Sequence, residues 1–453
     1  MPIIIPANSA VSGGFNAANS LMFNSADSPY LSFTPGSTGN QRTFTFSFWV
    51  KRSKLGLGGT GQVIYGQSYS SDGYQFKIEF TSNDEFRLYN SKGASDAINL
   101  KTNRRFRDTS AWYAITIAID TTQGTAANRA KIYVNGVQET SFGTATYPTQ
   151  NLDMDANAAA AQIIGARYSG SYNTYFDGYM AEFVFIDGSA LAPTDVGEFE
   201  EDSGIWQPID VSGLTLGANG CYLDFEDDSA LGNDAAGSNN FSLNNIAATD
   251  QMIDTCTNNF CVLNTLDKNS NITLANGNLE YIATDGWYNL RGSFFVSSGK
   301  WYWEMKKTTS TSTYTFIGAA TSEPALDFGY GGAQNGLFAY SASDGNKIGQ
   351  GTASTSYGAS FATGDIMGIA LDMDGGTITF YKNGSTQGQA FSGITGDIAP
   401  WITGYSNKNE YNFGSPPYAV SSGNADGNGF GNFEYAPPSG YFALCTKNLA
   451  EYG

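Results

Sequence analysis

Apolar residues at every second position constrain this chain more than any other feature. In Phe44-Thr-Phe-Ser-Phe-Trp-Val50 one face holds Phe44, Phe46, Phe48 and Val50; in Tyr113-Ala-Ile-Thr-Ile-Ala-Ile-Asp120 it holds Tyr113, Ile115, Ile117 and Ile119. A period of two is the side-chain alternation of a β-strand, so both segments are predicted as half-buried antiparallel strands. Lys131-Ile-Tyr-Val-Asn-Gly-Val-Gln138 adds a hairpin, because Asn135-Gly136 supplies the positive φ angles that a two-residue type I′ turn demands. Trp301-Tyr-Trp-Glu-Met-Lys306 alternates in the same way, Ile366–Asp372 reads as a buried apolar run, and Thr377-Ile-Thr-Phe-Tyr-Lys-Asn-Gly384 ends in another Asn-Gly turn. A sheet dries one apolar face only against a second sheet about 10 Å away. The expected fold is all-β, with two antiparallel, jelly-roll-like β-sandwiches in tandem.

Charge divides the chain unevenly. Its 453 residues carry 23 Lys and Arg against 42 Asp and Glu, a formal charge of −19. Residues 1–205 hold 14 basic and 19 acidic side chains, 206–265 hold 0 and 8, and 266–453 hold 9 and 15. The middle block is also rich in Asn, Ser and Gly, which predicts an acidic connector. The division expected is an N-terminal arm (1–14), a first sandwich (15–205), a returning strand and acidic connector (206–265), a second sandwich (266–447) and a C-terminal tail (448–453). Ala192–Glu201 is predicted as at most one short helix. Pro2-Ile-Ile-Ile-Pro6 reads either as an extended arm that docks into a partner or as a disordered terminus.

The sequence contains no His. That removes Ser-His-Asp and Cys-His chemistry, and imidazole as a metal ligand. The acidic balance argues against a nucleic-acid partner, which needs a basic footprint. The four cysteines, Cys221, Cys256, Cys261 and Cys445, fit neither a disulfide scaffold nor a zinc motif and are expected to stay reduced. No basic-then-apolar leader opens the sequence and no apolar run approaches about 18 residues, so synthesis without a signal peptide and no membrane insertion are expected.

Residues 299–418 resemble a SPRY domain through ordered blocks: Gly299-Lys-Trp-Tyr-Trp-Glu-Met305, Phe316-Ile-Gly-Ala319, Gly364–Asp372, Ile378–Gly384, Gln389-Ala-Phe391 and Tyr411-Asn-Phe-Gly414. Residues 20–190 resemble, more loosely, a laminin-G or concanavalin-A-like lectin sandwich through Tyr30-Leu-Ser-Phe33, Phe44–Lys51, Trp112–Asp120, Tyr133–Gly136 and Gly178–Phe183. Together with Cys221–Phe225 and Asn258–Asn264, this arrangement is similar to virion proteins of tailed bacteriophages, marine ones especially. The resemblance implies a non-catalytic binding scaffold made in the host cytoplasm and placed on the virion, on a tail fibre ahead of the capsid surface. Its implied partners are other virion proteins, a host cell-surface glycan or protein, and copies of itself, a homotrimer being favoured. The alternatives are a capsid decoration or tail adaptor protein and, from another class, a polysaccharide depolymerase.

Several residues stand out as candidate sites. Arg167-Tyr-Ser-Gly-Ser-Tyr-Asn-Thr-Tyr175 interleaves Tyr168, Tyr172 and Tyr175 with small polar residues, so the rings can stack on a sugar while Asn173 and Ser171 bind its hydroxyls; equally, they can pack on a neighbouring strand or subunit. Tyr330 in Phe328-Gly-Tyr-Gly-Gly332 is the counterpart in the second half. Asp224, Glu226 and Asp228 alternate on what reads as the outer face of a strand, near Asp227 and Asp234. They read as a solvated acidic edge, with Ca²⁺ as the alternative, but Ser229 and Ala235 stand where an EF-hand loop needs Gly and Glu. No other cofactor is expected. A glycosidase needs two carboxylates across a groove, and the cluster Glu198, Glu200, Glu201 and Asp202 falls on a connector, so no catalytic residue is assigned. Lys101-Thr-Asn-Arg-Arg-Phe-Arg107 is a basic run, either a solvated loop or a grip for an acidic surface. Met180–Ile186, apolar on both faces apart from Glu182, is either a central strand or one covered by another chain.

Overall fold

The alternating segments form the strands they predict. The computed structural model describes residues 14–56, 60–68, 74–93, 95–310, 314–326 and 334–453, and the chain divides between Thr257 and Asn258 into two units, each a β-sandwich.

In the first unit Thr43–Arg52 lies between Trp112–Asp120 and Gly178–Asp187. The sheet continues through Ala130–Val134 to Val137–Gln138 on one side and through Ser20–Phe23 to Gln251–Met252 on the other. The facing sheet runs Phe142–Thr146, Ser95–Arg105, Glu85–Lys92, Tyr74–Phe80, Gln62–Ser68, Gln162–Ile164, Tyr30–Phe33, Ser242–Asn244. Phe46 and Phe185 are register partners with ring centroids 4.6 Å apart, and Tyr65 of the facing sheet reaches Phe46 at 4.5 Å. Rings from both sheets thus interdigitate in one dry layer.

The second face of this sheet is also buried, which explains why Met180–Ile186 is apolar on both sides. It is a central strand, and Leu191, Val196, Val211 and Leu216 of the same chain cover Val184 and Ile186. Further along, buried Lys51 pairs with Asp254 at 2.7 Å, and Trp112 Nε1 donates to the same carboxylate at 3.1 Å.

Residues 206–257 therefore differ from the expected connector, because they are built into the first unit. Cys221–Leu223 pairs with Phe183–Phe185, Ser242–Asn244 pairs with Tyr30–Ser32, and Phe225, Leu231 and Phe241 enter the core. Residues 263–265 belong to the second unit, where Leu263 is the register partner of Gly292. The short helix expected at Ala192–Glu201 is a single 3-10 turn, Pro193–Asp195, followed by strand Gly197–Phe199. Pairing of that strand with Trp206–Pro208 outweighs helix formation.

In the second unit one sheet runs Leu263–Lys268, Tyr288–Gly292, Ala399–Gly404, Thr315–Ala320, Leu337–Ser341, Asn346–Gly349, Thr352–Ser356. The other runs Thr273–Ala275, Glu280–Ala283, Asn407–Asn412, Lys300–Ser310, Ile366–Asp372, Thr377–Lys382, Ser385–Ser392. Phe442–Ala443 adds in parallel to Trp301–Tyr302. The expected tail 448–453 is part of an α-helix, Thr446–Tyr452, and Tyr452 stacks on Phe442 at 4.0 Å.

Both Asn-Gly turns have positive φ at both residues: 49° and 75° at Asn135-Gly136, 47° and 76° at Asn383-Gly384. Each is also roofed by a ring from later in the chain, Trp206 over Gly136 and Tyr435 over Gly384, where a Cβ would collide. Among the described residues no helix is long and apolar enough to cross a membrane.

Candidate functional site

Strand register gathers aromatic residues at one end of the second sandwich. Tyr288 and Thr315 are both partners of Gly404, so Trp287, Tyr314 and Tyr405, each one residue outside that row, meet although more than 100 positions separate the first from the last. Trp287 lies 5.6 Å from Tyr314, 5.6 Å from Phe316 and 6.1 Å from Tyr405. Tyr314 is 48% and Tyr405 39% exposed, which leaves large ring surface facing water.

The platform is held from beneath. Tyr281 Oη donates to Tyr288 O at 2.9 Å and to Gly404 O at 3.2 Å, while the Asn407 amide donates to Tyr314 O at 2.8 Å and to Thr315 Oγ1 at 2.9 Å. Lys307 Nζ donates to Thr315 Oγ1 at 2.7 Å, and burial pushes this ammonium down to about 8. At the rim Tyr288 Oη donates to Asp285 at 3.3 Å and Ser406 Oγ to Thr284 O. Rigid rings beside hydroxyl and carboxylate groups suit stacking against a sugar face or clasping an apolar side chain. Sequence reasoning missed this set; its signal is an aromatic residue flanking each of three strand ends beside Gly, Ser or Thr.

The tyrosines singled out in the first unit do come together. Tyr168 and Tyr172 face each other across the small hairpin Arg167–Tyr168/Tyr172–Asn173, with centroids 5.1 Å apart. Tyr30, from a different strand, stacks on Tyr172 at 4.0 Å, and burial followed by its hydrogen bond to Tyr172 pushes the Tyr30 phenol up to about 12. Tyr175 Oη donates to Tyr172 O at 3.1 Å, and the Asn173 amide donates to Ser169 Oγ at 2.9 Å and Ser171 O at 3.0 Å. All these side chains are half-buried, and Tyr172 spends its ring on its neighbours. Tyr330 lies outside the described residues.

Asp224, Glu226 and Asp228 do not share the outer face of a strand. The strand stops at Leu223, and Phe225, at φ 60°, turns the chain so that its ring enters the core. Asp224 caps the Glu226 N–H at 3.1 Å, and Asp227 binds the Ser229 N–H and hydroxyl. Among the described residues no three acidic or thiol side chains gather as a metal site. The basic run is mostly neutralised within its own unit, with Lys101 on Glu85 at 3.6 Å, Arg104 on Glu139 at 3.1 Å and Arg107 on Asp84 at 3.1 Å. Glu200 binds the N–H groups of Asp202 and Ser203 in an exposed turn. All four cysteines are buried free thiols.

Comparison with known families agrees with this architecture. Residues 300–416 match the SPRY domain. Residues 25–197 match the Concanavalin A-like lectin/glucanases superfamily. Among solved structures, the SPRY domain of human HERC1 is 24% identical, with 33% of this chain and 96% of that one covered and a TM-score of 0.30. The TRIM65 PSpry domain is 13% identical (33% and 89% covered, TM-score 0.28), and a human SPRY domain 17% identical (34% and 98%, TM-score 0.27). The chain thus joins two domain types that generally serve binding and recognition. Both matches stop short of the units that contain them: the lectin-like match ends before residues 206–257, and the SPRY match omits strands 263–292 and the closing segment after 416.

Proposed function

We propose that this chain is a virion component of a tailed bacteriophage, part of a tail fibre or another receptor-binding structure, that recognises host-surface glycans or proteins without catalysis. The phage assignment rests on the sequence resemblance. The recognition reading is carried by the Trp287–Tyr314–Tyr405 platform, in which exposed Tyr314 and Tyr405 flank a half-buried Trp287, braced from below and set on a sandwich of a recognition-domain type. Assembly as a homotrimer multiplies a weak single contact through effective concentration.

The test mixes the full chain with intact cells of candidate bacterial hosts, before and after surface polysaccharide or surface protein is stripped, and assays reducing sugar in the supernatant. Saturable binding that disappears with one of those layers, without sugar release, is the expected result. No binding at any host supports the decoration or adaptor reading instead, and steady sugar release means a depolymerase.

A further inference from the structure

A second surface feature lies at the opposite end of the strand that carries the platform. Register places Thr315 beside Gly404 and Ala320 beside Ala399, so Thr321–Glu323 and Asp397 sit about 20 Å along the strand from Tyr314 and Tyr405. There Ser322, Glu323, Asn335, Thr395 and Asp397 surround a groove of about 520 Å³ with Phe338 in its lining. That size falls in the range of small-molecule sites.

The groove walls are built. Buried Arg291 fastens one of them: Nε donates to Thr321 O at 2.8 Å, Nη2 to Ser322 O at 3.1 Å and to Pro324 O, while Nη1 pairs with Asp267 at 3.0 Å. Gly336, at φ 72°, lets the backbone pass Thr321, where a Cβ would strike the hydroxyl. Gln350 anchors the other wall through its amide, which donates to Ser392 O at 2.7 Å. Within the described residues, the side chains of Ser322, Glu323, Asn335, Thr395 and Asp397 make no hydrogen bond or ion pair.

The chemistry of this lining selects a ligand class. Two carboxylates accept hydrogen bonds from hydroxyl groups, the Asn335 amide both donates and accepts, and two side-chain hydroxyls add either role. Among the described residues no Lys or Arg lines the groove, and its charged groups, Glu323 and Asp397, repel an anionic ligand. We propose that this groove is a saccharide subsite for neutral sugars, distinct from the aromatic platform. It goes beyond the receptor-binding reading and does not require the platform to be used.

Calorimetric titration of the full chain with methyl α-glucoside, methyl β-galactoside and N-acetylglucosamine, and with glucuronate as the anionic probe, tests it. At least one neutral sugar should bind saturably, and the pair Asn335→Ala with Asp397→Ala should weaken it about tenfold or more. Asp397→Asn alone, which preserves shape, should weaken the neutral sugar less and narrow the gap to glucuronate. Trp287→Ala should leave the titration unchanged even where it abolishes cell binding, so the two sites fail separately. The proposal is overturned if no neutral sugar binds, if glucuronate binds more tightly than all of them, or if the double variant binds like the parent while its melting curve is unchanged.

Discussion

Glu182 and Glu304 are buried glutamates on long strands of the two sandwiches, and they are treated very differently. Glu304 accepts four hydrogen bonds: from Tyr302 Oη at 3.2 Å, Asn412 Nδ2 at 3.2 Å, and the N–H groups of Glu434 and Tyr435 at 2.9 and 2.8 Å. Glu182 accepts one, from Tyr222 Oη at 2.6 Å, and its other oxygen has no partner within the described residues. Glu182 also sits at φ 52° where the strand register slips between Ala181 and Val184. Burial pushes Glu304 up to about 7 and Glu182 up to about 8, the latter with help from the charges of Asp224, Glu226 and Asp210. Equal burial therefore has opposite meaning. Glu304 fastens the returning segment onto the strand of Trp301 and Trp303, whereas Glu182 is a neutral acid stored in a covered bulge.

The largest effect expected is that of Glu304→Ala. It leaves the Glu434 and Tyr435 N–H groups without their acceptor and takes one of two acceptors from the Asn412 amide, which keeps Asn432 O, at about 3–4 kcal/mol, read as a lower urea midpoint for the second unit. Next comes pH. Both carboxyls are raised in the folded state, so between the unfolded value of about 4.5 and the folded value the native chain holds more protons than the unfolded one, and stability falls as pH rises. For Glu182 the loss runs from about pH 4.5 to 8 and amounts to about 3 kcal/mol between pH 5 and 8; Glu182→Gln should flatten that part of the stability-against-pH curve. For Glu304 the window closes near pH 7, a unit earlier.

Smaller effects separate the units by their turns. Gly136→Ala and Gly384→Ala each combine positive φ with a roofing ring, and each should cost about 2 kcal/mol in thermal unfolding of its own unit. Smallest is the response to reductant. With all four thiols free, the melting temperature should be the same with and without dithiothreitol, and a shift would reveal a disulfide.

Alternation made the long strands legible in sequence, and the two Asn-Gly pairs fixed their hairpins. Residues 206–257 were legible only as the returning strand, which is Cys221–Leu223; Ser242–Asn244 and Gln251–Met252 are too short to show a period and are held by partners far away in the chain. Their Asn, Ser and Gly are the turns between those pieces. The acidic run misled for a related reason: only the left-handed backbone at Phe225 reveals that the strand has ended. The tyrosine hairpin was readable because it is local, except for Tyr30, which reaches Tyr172 from a distant strand. Trp287, Tyr314 and Tyr405 meet through register alone, which a single sequence does not state.

Flow-cytometric binding of the labelled full chain to host cells, comparing the parent with Trp287→Ala and Tyr172→Ala, tests the central claim most directly. Recognition through the exposed platform requires Trp287→Ala to weaken binding about tenfold or more, while Tyr172→Ala, whose ring is packed between its neighbours, changes it little. Undiminished binding by a folded Trp287→Ala variant would contradict the account.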